Sequence, residues 1–194
     1  VPTTRYSMVS SVGMKSRRLL RVASWVSAAV VSAGCGDDEA AELAGWRIDS
    51  IAAGTGFTCA SGPSGVQCWG DNREGQLGDG TRQGTATPTR VAGVGAVLKV
   101  AAGAAHACAL LSNQSVYCWG SNAHGQLGDG SMTSRATPVV VAGLGLVYDL
   151  AVGGGHTCAC STSGRVFCWG ANTYGQLGDG TTTDRAMPTP VEGI

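Results

Sequence analysis

CWGDNREGQLGDG occupies residues 68–80, returns as CWGSNAHGQLGDG at 118–130, and appears again as CWGANTYGQLGDG at 168–180. A spacing of 50 residues on both occasions marks a structural repeat. Units that cannot bury their apolar face alone are stacked in series. A catalytic site needs unlike residues converging once, so it is rarely copied this way.

Working outward from the repeated core, each copy opens on an apolar segment ending in glycine: RIDSIAAG (47–54), VLKVAAG (97–103) and VYDLAVG (147–153). A second strand is expected around FTCA, HACAL and HTCAC, followed by the turns GPSG, SNQS and TSG, whose Gly, Pro, Asn and Ser reverse a chain sharply. VQCWG, VYCWG and VFCWG then lead into the glycine-punctuated GQLGDG and a polar loop. A fourth strand is expected after Pro88, Pro138 and Pro188. Four short strands per repeat predict one β-propeller blade. The 31 glycines among 194 residues fit many tight turns, and no segment beyond the N-terminal leader carries a helical period. The expected fold class is all-β, with blades at 47–95, 96–145 and 146–194. Closure takes at least about four blades, so three form a partial or open propeller.

GAAHACAL (103–110), VYCWGSNAHGQLGDG (116–130) and PVVVAGL (138–144) spell out a pattern that resembles the regulator of chromosome condensation repeat. The resemblance runs from residue 47 to 194 and implies the seven-bladed propeller of that family. Three repeats suggest either a fragment of a longer protein or a chain that closes its propeller by self-association.

The N-terminal residues carry a different message. From Met14, which is the expected true start after an upstream stretch 1–13, the chain reads MKSRRLLRVASWVSAAVVSAGCGDDEAAE. Clustered cations precede an apolar run too short to span a bilayer, the pattern of a secretory signal. Ser32-Ala33-Gly34-Cys35 resembles the lipobox of bacterial lipoproteins, which implies lipidation at Cys35, removal of 1–34 and an acidic tether over 35–46. An ordinary signal peptide with a chance cysteine is the competing reading, and Ser16-Arg17-Arg18 adds a weak twin-arginine signal. From Cys35 onward eight basic residues face thirteen acidic ones, a net charge of −5. That balance disfavours nucleic acid, which calls for clustered Lys and Arg.

Seven cysteines remain in the body. Cys59/Cys68, Cys108/Cys118 and Cys158/Cys168 sit in the two arms of one hairpin each, opposite one another, and suggest three disulfides. Zinc would want C-x₂-C spacing or convergent histidines, and neither is present. Cys160 stands where the second copy has Leu110 and is expected to be a buried apolar substitute. His106 and His156 share a position with Phe57, which reads as packing or hydrogen bonding inside the blade. Asp79, Asp129 and Asp179 read as Asp-Gly turn residues, because one carboxylate per loop falls short of a calcium cage. The tryptophans Trp69, Trp119 and Trp169, with Leu77, Leu127 and Leu177, are expected in the core. No cofactor, metal site or catalytic motif is expected.

Function is then sought where the copies differ. One window is Arg73-Glu74, Ala123-His124 and Thr173-Tyr174; the other is the loop after GDG, with Arg82, Met132, Arg135, Asp184 and Arg185. Candidate partner-binding residues are Arg73, Glu74, Arg82, His124, Arg135, Tyr174 and Arg185, with Tyr and Arg favoured as interface anchors. The family resemblance offers two precedents: a nuclear exchange factor for a small GTPase, and secreted bacterial propellers that include a protein inhibitor of β-lactamase. An acidic, lipid-anchored body outside the cytosol fits the second. The expectation is a non-enzymatic protein-interaction module on the bacterial envelope, membrane-anchored and facing periplasm or exterior, with an unknown protein partner. The alternatives are a cell-wall or carbohydrate-binding module and a fragment without independent function.

Overall fold

The computed structural model describes residues 47–194; the expectations for the leader, the tether and Cys35 lie outside the described residues. Twelve strands form three separate four-stranded antiparallel sheets, each in sequence order. Blade 1 comprises β1 (Ser50–Ala53), β2 (Phe57–Gly62), β3 (Gly65–Gly70) and β4 (Thr85–Arg90). Blade 2 comprises β5 (Val97–Ala102), β6 (His106–Leu111), β7 (Val116–Gly120) and β8 (Arg135–Val140). Blade 3 comprises β9 (Val147–Val152), β10 (His156–Ser161), β11 (Val166–Gly170) and β12 (Arg185–Pro190). There is no helix among the described residues.

The fourth strand of each blade departs from expectation. It starts before the proline and runs across it, with Pro88, Pro138 and Pro188 inside β4, β8 and β12. The pairing explains why this is tolerated. The register against the third strand shifts between Cys68 and Gly70, and equally in the other blades, so the proline falls at an irregular stretch of an edge strand. An edge strand with a bulge is where a residue lacking N–H costs no ladder bond.

The core lies between blades rather than within them. One cluster joins Phe57, Cys59, Val66, Cys68, Leu77, Val91 and Val94 of blade 1 to Val97, Val100, Ala107, Ala109 and Trp119 of blade 2. The second joins the equivalent face of blade 2 to Val147, Leu150, Ala159 and Trp169 of blade 3. This two-sided burial explains why the strands show little in–out alternation.

The tryptophan is the pin of each joint. The indole N–H of Trp119 donates to the Gln76 carbonyl at 2.9 Å, and that of Trp169 to the Gln126 carbonyl at 2.9 Å. Each ring lies so close to the preceding blade that a Cβ at Gly78 or Gly128 would come within 2.8 Å or 2.7 Å of it. Any side chain there would displace the ring. This is the physical reason the second glycine of G-Q-L-G recurs beside the recurring tryptophan.

Trp69 corrects the expectation of three core tryptophans. Trp119 and Trp169 are fully buried, whereas Trp69 is half-buried, because among the described residues no blade precedes it. Cys160 departs in the same way at the other end. Leu110 is buried against blade 3, but Cys160 faces outward from blade 3 and is half-buried.

Candidate functional site

Each N-x-x-G-Q-L-G-D-G segment folds around one buried asparagine. Asn122 Oδ1 accepts from the Leu127 amide at 3.0 Å. Its Nδ2 reaches the Asp129 carboxylate, the Ser131 carbonyl and the Thr133 carbonyl at 3.2, 3.0 and 3.2 Å. Asn72 and Asn172 do the same in their blades. Asp79, Asp129 and Asp179 each accept from the amide two residues on, the Asx-turn geometry expected of Asp-Gly loops. The sequence reading missed these asparagines, although their threefold recurrence at 72, 122 and 172 was visible. Only a buried side chain with both donor and acceptor capacity can tie a loop of mixed backbone groups from inside.

The two variable windows meet on one rim, and the structure divides the seven candidate residues into three groups. Glu74, Arg82 and His124 clamp one blade to the next. Glu74 accepts from the Ser134 hydroxyl at 3.0 Å, Arg82 reaches the Arg73 and Ser134 carbonyls, and His124 Nδ1 lies 2.7 Å from Asp184. Asp184 is held below the usual carboxylate range, chiefly by that contact with His124.

Arg135 and Arg185 instead brace their own turns, pairing with Asp129 at 3.3 Å and Asp179 at 2.7 Å. Hydrogen bonds from Thr181 and then Arg185 hold the Asp179 carboxyl well below its ordinary value. At Asp129 burial opposes the charge, but bonds from Ser131, Arg135 and Asn122 outweigh it and lower the pKa. The spacing of six between Asp and Arg in copies two and three, with Thr85 at that place in copy one, was the sequence signal for this brace.

Arg73 and Tyr174 form the third group and point outward. Arg73 is exposed, with only a 3.6 Å approach to Asp71, and Tyr174 is 91% exposed. Met132 adds an exposed apolar side chain to the same rim.

The cysteine pairs Cys59–Cys68, Cys108–Cys118 and Cys158–Cys168 lie at disulfide distance, each directly cross-strand in the register of its hairpin. His106 is fully buried at the joint between blades 2 and 3, with its Nε2 3.1 Å from the Thr157 hydroxyl. That hydroxyl donates to the Gln126 carbonyl, so it accepts from His106 Nε2–H, and Nδ1 is left without a partner among the described residues. Burial, with a smaller contribution from His156, lowers the His106 pKa to about 4. The position is therefore a hydrogen-bonding site, but between blades rather than inside one. A cleft of about 330 Å³ is lined by Gly54, Gly103 and Gly153 with their neighbours, and it offers backbone and small side chains only.

The repeated joint, the asparagine-tied loop and the four-stranded blade define a propeller built from one kind of unit. A family model described as the Regulator of chromosome condensation (RCC1) repeat matches residues 65–110, 113–160 and 163–194, and a second of the same description matches 48–76, 97–126 and 147–176. The chain belongs to the RCC1 repeat family.

Among solved structures it is similar to human WBSCR16, with 28% identity and a TM-score of 0.68, over 76% of this chain and 41% of that one. It is also similar to Prp20p from Saccharomyces cerevisiae, with 22% identity and a TM-score of 0.66, over 74% of this chain and 38% of that one. Prp20p has been described with its binding properties to Gsp1p and histones. The chain thus spans about two fifths of the length of these relatives.

Proposed function

We propose that this chain is a non-enzymatic protein-interaction module, held on the bacterial envelope through lipid on Cys35 and binding its partner with the loop rim. The single observation behind the reading is the division of labour among repeat positions. Residues that recur, such as the tryptophans, asparagines and GQLGDG glycines, are spent on joints and turns. Residues that vary collect on one rim, where Arg73, Met132 and Tyr174 are left without a structural task. Tyr and Arg are residue types favoured as interface anchors, and Tyr174 and Arg73 are both exposed. That a relative of the same fold binds proteins, as Prp20p does Gsp1p and histones, supports a binding role in kind and names no partner for this chain. Small-GTPase exchange is not part of the proposal. A chain of three blades that closes by self-association would present the rim windows twice around one ring.

The test has two arms. Expressed with its leader, the chain is expected to incorporate radiolabelled palmitate, and incorporation that survives Cys35→Ala would sink the anchor. Cross-linking on intact envelopes is expected to capture the same protein partner with the wild type and to lose it with Tyr174→Ala plus Arg73→Ala. An unchanged capture rejects the rim. The second reading, a cell-wall or carbohydrate-binding module, draws on Tyr174 alone, the one aromatic in the variable windows. Sedimentation with purified cell wall, lost in Tyr174→Ala, would favour it.

A further inference from the structure

The chain contains four asparagines, and the fold accounts for three of them. Asn72, Asn122 and Asn172 are buried and tie their loops from inside. The fourth, Asn113, is exposed in the turn between β6 and β7 and lies in neither core cluster. It opens Asn113-Gln114-Ser115, the one place in the sequence where an asparagine is followed two residues on by serine or threonine. Asn-x-Ser/Thr, with any residue but proline between, is the acceptor pattern for an N-linked sugar on a surface loop.

The same turn forms in blade 3 without either residue. In blade 2 the Gln114 amide donates to the Leu111 carbonyl at 2.8 Å and the Leu111 amide to the Ser115 carbonyl at 2.9 Å. In blade 3 the Gly164 amide donates to the Ser161 carbonyl and the Ser161 amide to the Arg165 carbonyl, both at 2.9 Å. Ser163 and Arg165 stand there in the places of Asn113 and Ser115. Reversal of the hairpin therefore does not call for this pair. The backbone around Asn113 is also pinned on both sides. The Ser112 amide donates to the Ala96 carbonyl, and the Val147 amide of blade 3 donates to the Gln114 carbonyl, each at 3.0 Å.

Within that fixed turn the pair sets up one side-chain amide. Asn113 Oδ1 accepts from the Ser115 amide at 3.1 Å and from the Ser115 hydroxyl at 2.6 Å. Its Nδ2 donates to nothing among the described residues. An amide nitrogen is a poor nucleophile because its lone pair is delocalised into the carbonyl. Loss of an Nδ2 proton moves negative charge onto Oδ1, and two donors already aimed at that oxygen stabilise the charge as it develops. Ser115 is thus a positioning residue. Threonine would supply the same hydroxyl, and alanine would not.

We propose that Asn113 is a glycosylation site, receiving through Nδ2 a sugar from a phosphate-activated glycosyl donor under an enzyme that reads Asn-x-Ser. In the transfer, an Nδ2 proton passes to a base of that enzyme and Nδ2 attacks C1 of the sugar. The N–C1 bond forms as the C1–O bond to the donor phosphate breaks, and the phosphate leaves with the electron pair. The antiparallel strand order puts the β6–β7 turn at the opposite strand ends from the loops after β3 and β7, which carry the variable windows. A sugar at Asn113 leaves the rim open. The site rests on neither the rim nor the lipid anchor, and its failure would leave both standing.

The experiment is peptide mass spectrometry of the full chain recovered from the cells that make it, beside Asn113→Gln, Ser115→Ala and Ser115→Thr expressed in the same cells. The wild-type peptide is expected to carry, on Asn113, an added mass of whole sugar units, located by fragmentation that keeps the linkage intact. Occupancy should vanish in Asn113→Gln and persist in Ser115→Thr. In Ser115→Ala it should fall at least about tenfold, for want of one donor aimed at the developing charge. The turn is exposed, so the variants should keep the fold, and near-ultraviolet circular dichroism checks that. A bare Asn113 in the wild type overturns the proposal, as does one altered only by deamidation to aspartate. So does a sugar whose occupancy Ser115→Ala leaves unchanged.

Discussion

His106 shows how much a single side chain can reveal about its joint. It is buried neutral, with Nε2–H committed to Thr157 and Nδ1 bare, so protonation has nowhere to place its second hydrogen. Burial lowers its pKa to about 4 from an ordinary 6.5, and His156 is lowered in the same direction by its own burial. Between those two values an unfolded chain binds a proton that the folded chain refuses. The resulting stability is complete above pH 6.5 and is lost as pH falls toward 4. For His106 the loss is on the order of 2–3 kcal/mol. Urea unfolding at pH 7.5 and pH 5 should show it as a falling midpoint. The double variant His106→Phe with Thr157→Ala copies the Phe57–Ala107 joint and should flatten most of that dependence, while His106→Phe alone strands the Thr157 hydroxyl and should cost stability at both pH values. A pH dependence untouched by the double variant would place its origin elsewhere. The sequence showed Phe and His sharing a position, which marked it as packing or hydrogen bonding. It could not show the partner at 107 and 157, because that residue comes from the next blade.

Among the elements, the hairpins were the most legible and the edge strands the least. Cysteines nine or ten residues apart around a turn can face each other only in one register, and that register is the one found. The fourth strands were misplaced because proline was read as a boundary, whereas an irregular outer edge accommodates it. Closing a loop of this size stabilises by about 2.5–3 kcal/mol per bridge on the chain-entropy argument. The three bridges should nevertheless yield to a reductant at different rates, since thiol exchange needs access to sulfur. Cys59, Cys68, Cys108 and Cys118 are each 0% exposed, but Cys158 is half-buried on the outward face of blade 3. Under graded dithiothreitol with alkylation and peptide mapping, Cys158 and Cys168 should be labelled first, well before the other four. Simultaneous labelling of all six would mean that the chain opens globally before any bridge is reached.

For the whole molecule, the repeat was readable to the residue, while burial at its two ends was not. Trp69, Cys160 and Ile51 occupy positions whose counterparts are buried elsewhere in the same chain, and among the described residues no blade lies against them. A stack whose units contact only adjacent units has a stability close to a sum of unit and interface terms. Blade 2 shares both of its interfaces, and blades 1 and 3 share one each. In a single copy, amide exchange should therefore be slowest in β6 and β7 and faster in the end blades, by roughly tenfold or more for each kcal/mol or two of interface that is missing. Equal protection in all three blades would mean that the three described blades open as one cooperative unit.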